Sequence, residues 1–229
     1  MRVSRPGMAW AIAAILCTRG PAGAQALNID FGEPENAPPP SHGAAGLPGV
    51  WNALRADNGS TTPGLVDLEG RATSVSLLQI GGTDTPTVDD PATTGEASLL
   101  MDDYLVTFTA NLETCIFLDG VAPGAYEVLI YAWMPAQPAV RSYTSVDQEV
   151  GSPHYEIGGD WPGEQLELVT YSRHWAIVGA DGNLDLHSGI TPGGDELLGA
   201  ALNALQIRPV LFGDGFETGD TGRWTTAVE

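Results

Sequence analysis

Residues 114–133 read Thr114-Cys115-Ile116-Phe117-Leu118-Asp119-Gly120-Val121-Ala122-Pro123-Gly124-Ala125-Tyr126-Glu127-Val128-Leu129-Ile130-Tyr131-Ala132-Trp133. They hold the strongest candidate pair of strands, 114–118 and 126–133, joined through the turn formers of Asp119-Gly120-Val121-Ala122-Pro123-Gly124. In the second strand Val128 and Ile130 fall on one face and Leu129, Tyr131 and Trp133 on the other. A strand that is apolar on both faces belongs in the middle of a fold. Upstream, Ala26-Leu27-Asn28-Ile29-Asp30-Phe31 alternates strictly, which predicts a first strand with Leu27, Ile29 and Phe31 inward and one wet face. Residues 33–49 are dominated by Pro, Gly and Ala and read as an extended loop. Further strands are expected over 64–68 and 73–80, a mobile surface loop over 81–96 and a short helix over 97–105. Downstream, strands are expected over 142–150, 165–171, 175–178 and 183–187, the last two flanking the hairpin signal Ala180-Asp181-Gly182. Residues 202–210 close the domain with Leu205 and Ile207 inward. Glycine (29) and proline (17) together supply about one residue in five. Short strands, frequent turns and no long helical period predict an all-β antiparallel sandwich.

The formal net charge is −20, from 29 acidic residues against nine bases, every one of them arginine. Such a balance repels phosphate backbones and anionic lipid, so nucleic acid is excluded as a partner. The absence of lysine removes Schiff-base chemistry and the phosphate-loop lysine. The N-terminus places Arg2 and Arg5 before the apolar run 9–17 and ends it at Ala22-Gly23-Ala24, the pattern of a Sec-type signal peptide. Nine apolar residues fall short of the roughly 20 that span a bilayer. Leu16 stands where a lipobox before Cys17 would carry a small residue, so the ordinary signal reading is preferred. The expected organisation is a signal peptide over 1–24, a β-sandwich domain over 25–210 and a terminal motif over 211–229, with export to the cell surface or beyond. Cleavage would leave Cys115 as the one cysteine, so the folded domain is expected to rest on its core rather than on a disulfide.

Several local patterns, in this order, resemble a group of secreted bacterial modules with a galactose-binding-like jelly-roll fold, related in architecture to malectin-like and carbohydrate-binding domains. They include Asn28-Ile29-Asp30-Phe31-Gly32, Leu47-Pro48-Gly49-Val50-Trp51-Asn52 and Leu99-Leu100-Met101-Asp102-Asp103-Tyr104-Leu105. Leu118 to Tyr126, Tyr131-Ala132-Trp133, Gly158-Gly159-Asp160-Trp161-Pro162-Gly163 and Leu202-Asn203-Ala204-Leu205-Gln206-Ile207 complete the series. The resemblance implies the fold and, by analogy, glycan binding, and it brings no catalytic residue. A second pattern, Asp214-Gly215-Phe216-Glu217-Thr218-Gly219-Asp220, resembles a short terminal motif of secreted bacterial proteins and implies a sorting or export tag.

Catalytic templates fail: there is no G-x-S-x-G, H-E-x-x-H, C-x-x-C or P-loop pattern. Cys115 reads as a small buried hydrophobe in a strand. None of His42, His154, His174 and His187 has a partner at metal-ligand spacing, so a zinc centre could only be assembled from distant segments. Asp89-Asp90 and Asp102-Asp103 offer oxygen ligands to a structural calcium. Residues 126–175 carry eight aromatics. Tyr126, Tyr131 and Trp175 lie on predicted strands and read as core, whereas Trp133, Tyr143, Tyr155 and Trp161 flank prolines at strand ends or in loops. Sugar rings present apolar C–H faces with polar edges, which suits an exposed aromatic with polar groups around it. The ligand-binding candidates are therefore Trp133, Tyr143, Tyr155 and Trp161 with Arg141, Asp160, Arg173 and His174. The leading expectation is a secreted, non-catalytic module for a carbohydrate or cell-surface polymer. A structural or adhesive extracellular protein, and a glycan-acting hydrolase or lyase, are the alternatives.

Overall fold

The computed structural model of the chain describes residues 25–107, 113–190 and 199–210. The expected signal peptide, Cys17 within it, and the terminal motif from 211 lie outside the described residues. The first half contains β1 (Leu27–Asp30), β2 (Trp51–Ala53), β3 (Thr61–Thr62), β4 (Ser76–Ile80), the helix α1 (Glu96–Met101), β5 (Leu105–Thr107) and β6 (Glu113–Asp119). The second contains β7 (Gly124–Tyr131), β8 (Ser142–Val146), β9 (Tyr155–Ile157), β10 (Tyr171–Val178), β11 (Leu184–Ile190), β12 (Ala200–Leu202) and β13 (Ala204–Pro209). A five-stranded sheet in the order β10-β7-β13-β1-β2 faces a six-stranded sheet in the order β3-β4-β6-β11-β8-β9. A small β12-β5 pair lies at their margin. Among the described strands the pairings are antiparallel except that of β1 with β2. This is an all-β sandwich, and β7 lies within its sheet as its two apolar faces required.

The strand pair expected over 114–133 is corrected by the pairing. β6 joins β11 in the six-stranded sheet, while β7 joins β10 in the five-stranded sheet. The expected hairpin at Asp181-Gly182 is corrected in the same way, because β10 and β11 also lie in different sheets. Both Asp-Gly turns are corners where one antiparallel ribbon passes from sheet to sheet, the wrapping of a jelly roll. The corners are tied together: Val121 N donates to Gly182 O at 3.0 Å. Gly120 and Gly182 have φ of 82° and 77°. A Cβ on Gly120 would lie 2.6 Å from Ser74 O, so glycine is required by both conformation and space.

Between the sheets, Leu27, Ile29, Tyr126, Val128, Ile130, Leu205 and Ile207 meet Leu77, Ile116, Leu118, Val146, Leu184 and Leu186 in one apolar core. The predicted wet face of β1 does not exist: Asn28 and Asp30 are as buried as their apolar neighbours. The loop over 33–49 folds back over the outward face of the five-stranded sheet and covers Asn28. Gln206 Nε2 donates to Asn28 Oδ1 and Leu47 O, and Asn28 Nδ2 also donates to Leu47 O. Tyr131 Oη donates to Gln206 Oε1 at 2.5 Å and accepts from Ala45 N at 2.9 Å. Below this polar network lies a second apolar layer of Trp51, Leu100, Met101, Leu129, Tyr131, Trp133, Tyr171 and Ala204.

Other expectations change locally. Residues 64–68 contribute a single bridge, Val66 to Ala72, in place of a strand. Residues 168–170 form a turn and β10 begins at Tyr171, because Thr170 bonds back to Leu166. The helix stops at Met101, and the sequence that follows turns into β5. The expected mobile loop over 81–96 is anchored: Asp90 accepts from Ala136 N, and Asp102 accepts from Thr93 Oγ1 at 2.5 Å.

Candidate functional site

The outward face of the five-stranded sheet carries an open cleft of about 450 Å³. His42, Ala44 and Ala45 come from the long loop, Ala97 from α1, Trp161, Glu164 and Gln165 from the segment before β10, and Tyr171 from β10 itself. The half-buried Trp161 packs on Trp133, with ring centroids 5.3 Å apart and planes at 59°. Trp133 is buried and donates from Nε1 to Gly159 O at 2.8 Å. Gly158 accommodates this approach, since a Cβ there would lie 2.2 Å from Val140 O. The Gly158-Gly159 pair thus fixes the loop, Trp133 fixes the underside of Trp161, and its remaining surface borders the cleft.

Two side chains of the cleft carry polar atoms without partners. Gln165 Nε2 and Oε1 and His42 Nε2 are buried atoms without a hydrogen bond. His42 Nδ1 lies 3.3 Å from Glu96 Oε2, and the ring stacks on Trp51 at 6.3 Å. Burial lowers the His42 pKa, outweighing the opposing pull of Glu96. At neutral pH the ring is therefore uncharged, with Nδ1–H facing Glu96 and Nε2 left as an acceptor. The cleft offers an aromatic face, one acceptor nitrogen, an amide that can both donate and accept, and the carboxylate of Glu164. That set matches a polyhydroxylated ligand with an apolar face. Glu96 and Glu164 disfavour an anionic one.

The candidates named from sequence do not converge. Trp133 and Trp161 meet, but Trp133 is beneath the surface rather than at an exposed strand end. His174 is fully buried on the inward face of β10, with Nδ1 2.6 Å from Glu149 Oε2 and Nε2 3.0 Å from Ser172 Oγ. Tyr155 packs edge-on against it at 5.0 Å, so both serve the interior. Arg173 is committed to the buried carboxylate of Glu127, which Arg208 grips from the other side, and to Glu167. Tyr143 lies on the six-stranded sheet, stacked on His154 at 4.6 Å. Arg141 donates to Pro138 O at 2.8 Å, and Asp160 is exposed. Trp175, expected in the core, is half-buried. His42 and Gln165 were missed as ligand groups because each acquires meaning only from a neighbour more than 100 residues away.

Cys115 is buried as expected, on the side of β6 opposite Ile116 and Leu118, and burial pushes its thiol up to about 12. A second cleft of about 180 Å³ gathers Asp89, Asp102 and Asp103 with Asn36 and Thr87. Asp103 Oδ1 and both oxygens of the fully buried Asp30 have no hydrogen-bond partner. Among the described residues no helix is long and apolar enough to cross a membrane.

No protein-family model and no curated protein matches the chain. Among solved structures it is similar to a β-glucuronidase from Bacteroides uniformis, at 12% identity and a TM-score of 0.49, over 82% of this chain and 18% of that one. It is also similar to the ANXUR2 extracellular domain from Arabidopsis thaliana, at 10% identity and a TM-score of 0.44, over 81% of this chain and 41% of that one. The chain thus spans less than half the length of either protein.

Proposed function

We propose that this chain is a secreted, non-catalytic binding module whose cleft beside Trp161 takes a neutral carbohydrate, free or as part of a cell-surface polymer. The observation that carries the reading is the juxtaposition of the Trp161 ring with the unpartnered amide of Gln165 and the unpartnered Nε2 of His42. An apolar face bounded by unsatisfied polar atoms is what a sugar ring complements. The signal-like residues 2–24 support export. The test is a neutral-glycan array followed by affinity and melting measurements on Trp161→Ala. Loss of the platform should weaken binding by roughly 10- to 100-fold, corresponding to about 1–3 kcal/mol of stacking, as for aromatic–base contacts. Because the ring is already half-buried, the fold should lose less than about 1.5 kcal/mol. A stability loss near 3 kcal/mol with unchanged affinity in the folded fraction would make Trp161 a cover of the core and remove the platform.

The same reading includes one structural calcium in the cleft of Asp89, Asp102 and Asp103. The unpartnered Oδ1 of Asp103 and the oxygen donors lining that cleft support it, while its three carboxylates are not drawn within ligand distance of one another as Glu113, Cys115 and His187 are. Calcium chloride at neutral pH should raise the melting temperature of the full chain. An unchanged melt up to about 10 mM calcium, far above the affinity of most calcium modules, removes the ion from the proposal.

A further inference from the structure

We propose that Glu113, Cys115 and His187 form a binding site for a zinc-class divalent metal ion on the outward face of the six-stranded sheet. The sheet register creates the site. Cys115 and His187 are direct cross-strand partners on β6 and β11, and Glu113 lies two residues before Cys115, on the same face of the same strand. The thiol, one imidazole nitrogen and one carboxylate oxygen all lie within 4.8 Å of one another. Both strands are paired on either side, β6 by β4 and β11 by β8, so the ligand-bearing backbones are held on a rigid scaffold.

The histidine supplies an independent observation. His187 Nδ1 lies 3.7 Å from Glu113 Oε2, beyond a hydrogen bond, and the buried Nε2 makes no hydrogen bond although Asp147 Oδ1 is 3.2 Å away. The ring therefore stands between two carboxylates with neither nitrogen satisfied. A metal ion between Cys115, Glu113 and Nδ1 leaves Nε2–H to be accepted by Asp147, the carboxylate–histidine–metal relation that orients ligating imidazoles. Sulfur, nitrogen and one carboxylate are the donors of zinc and its thiophilic relatives, and calcium or magnesium would not choose them. Three protein ligands leave one position of a tetrahedron to water. Loading breaks the Cys115 S–H bond, forms the metal–sulfur bond and releases that proton to solvent.

Cobalt(II) is the probe, because a bound thiolate gives it a near-ultraviolet charge-transfer band that carboxylates alone do not produce. The full chain, reduced and stripped with a chelator, should develop that band to a plateau at one cobalt per chain, and zinc should bleach it. Cys115→Ser should abolish the band with circular dichroism and melting unchanged, which also separates the site from Cys17. His187→Gln and Glu113→Gln should each weaken cobalt binding by at least about tenfold, the scale of losing one supporting ligand group. No band at millimolar cobalt, a band that survives Cys115→Ser, or wild-type affinity in His187→Gln overturns the proposal.

Discussion

Asn203→Ala should unfold about 10 °C below the parent chain, a loss on the order of 4 kcal/mol. Asn203 sits fully buried between β12 and β13 and ties three distant segments together. Its Nδ2 donates to Met101 O and Asp103 O, both at 3.1 Å, and its Oδ1 accepts from Trp133 N at 2.8 Å. Its own backbone donates to Tyr131 O and accepts from Phe31 N, so the residue cannot move away from the side chain's partners. Alanine would leave two carbonyls and one N–H in a dry interior, each costing about 1–3 kcal/mol unless water enters. Asn203→Asp is expected to be no better, because it turns one donor group into a charge facing two carbonyl oxygens. Urea or thermal melts measure this, and a loss below about 1 kcal/mol would show that the surrounding loops satisfy themselves without Asn203.

That expectation gives the sequence resemblance a physical content. Asn28, Asn203 and Gln206 belong to the patterns that carry it, and the structure buries all three in the network that fastens loops to the five-stranded sheet. The patterns therefore mark how this sandwich is closed on its outer face, whereas the cleft is bordered by residues outside them, such as His42 and Gln165, together with Trp161.

Strands were legible where alternation or two-sided apolarity spoke for them, as in β1, β7 and β13. Their assignment to sheets was not legible, since Asp119-Gly120 and Asp181-Gly182 have the same local chemistry in a hairpin and at a corner. Only the long-range pairing of β6 with β11 and β7 with β10 decides between them. The burial of Asn28 was hidden for a related reason: what covers it is a loop whose Pro-rich sequence has no periodicity. The site was half legible. Aromatic density and the Gly-Gly-Asp-Trp-Pro-Gly stretch pointed to Trp161, but a charged or ring residue in a β-protein looks alike from sequence whether it pairs internally, as Arg173 and His174 do, or meets a ligand.

Replacing Asp30 by asparagine should stabilise the metal-free chain at pH 7.5 and leave it almost unchanged at pH 3. The carboxyl of Asp30 is fully buried, both oxygens lack partners, and burial raises its pKa well above the ordinary value, with the charge of Asp103 adding to the effect. Burial likewise raises Asp102 and Asp103 to about 6. For groups whose folded pKa lies above the unfolded one, the favourable contribution is complete below the unfolded value of 3.8 and is lost as pH rises through the folded value. These acids therefore make the protein less stable from about pH 4 towards 7, by about 3 kcal/mol for a shift of this size in Asp103 alone, with less than additive effects among neighbours. His42 works in the opposite sense below pH 6.5, because its folded pKa is lowered, and it trims the gain on acidification. Asp30→Asn removes the most deeply buried member of the set and puts an amide donor in its place. At pH 7.5 without calcium the variant should melt several degrees above the parent, because the folded parent must either hold an uncompensated buried charge or take up a proton that the unfolded chain has released. At pH 3, below the unfolded value of 3.8, parent and variant should melt nearly together, since Asp30 is then neutral in both the folded and the unfolded chain. A variant that melts below the parent at pH 7.5 with chelator present would mean that Asp30 is already satisfied as an anion.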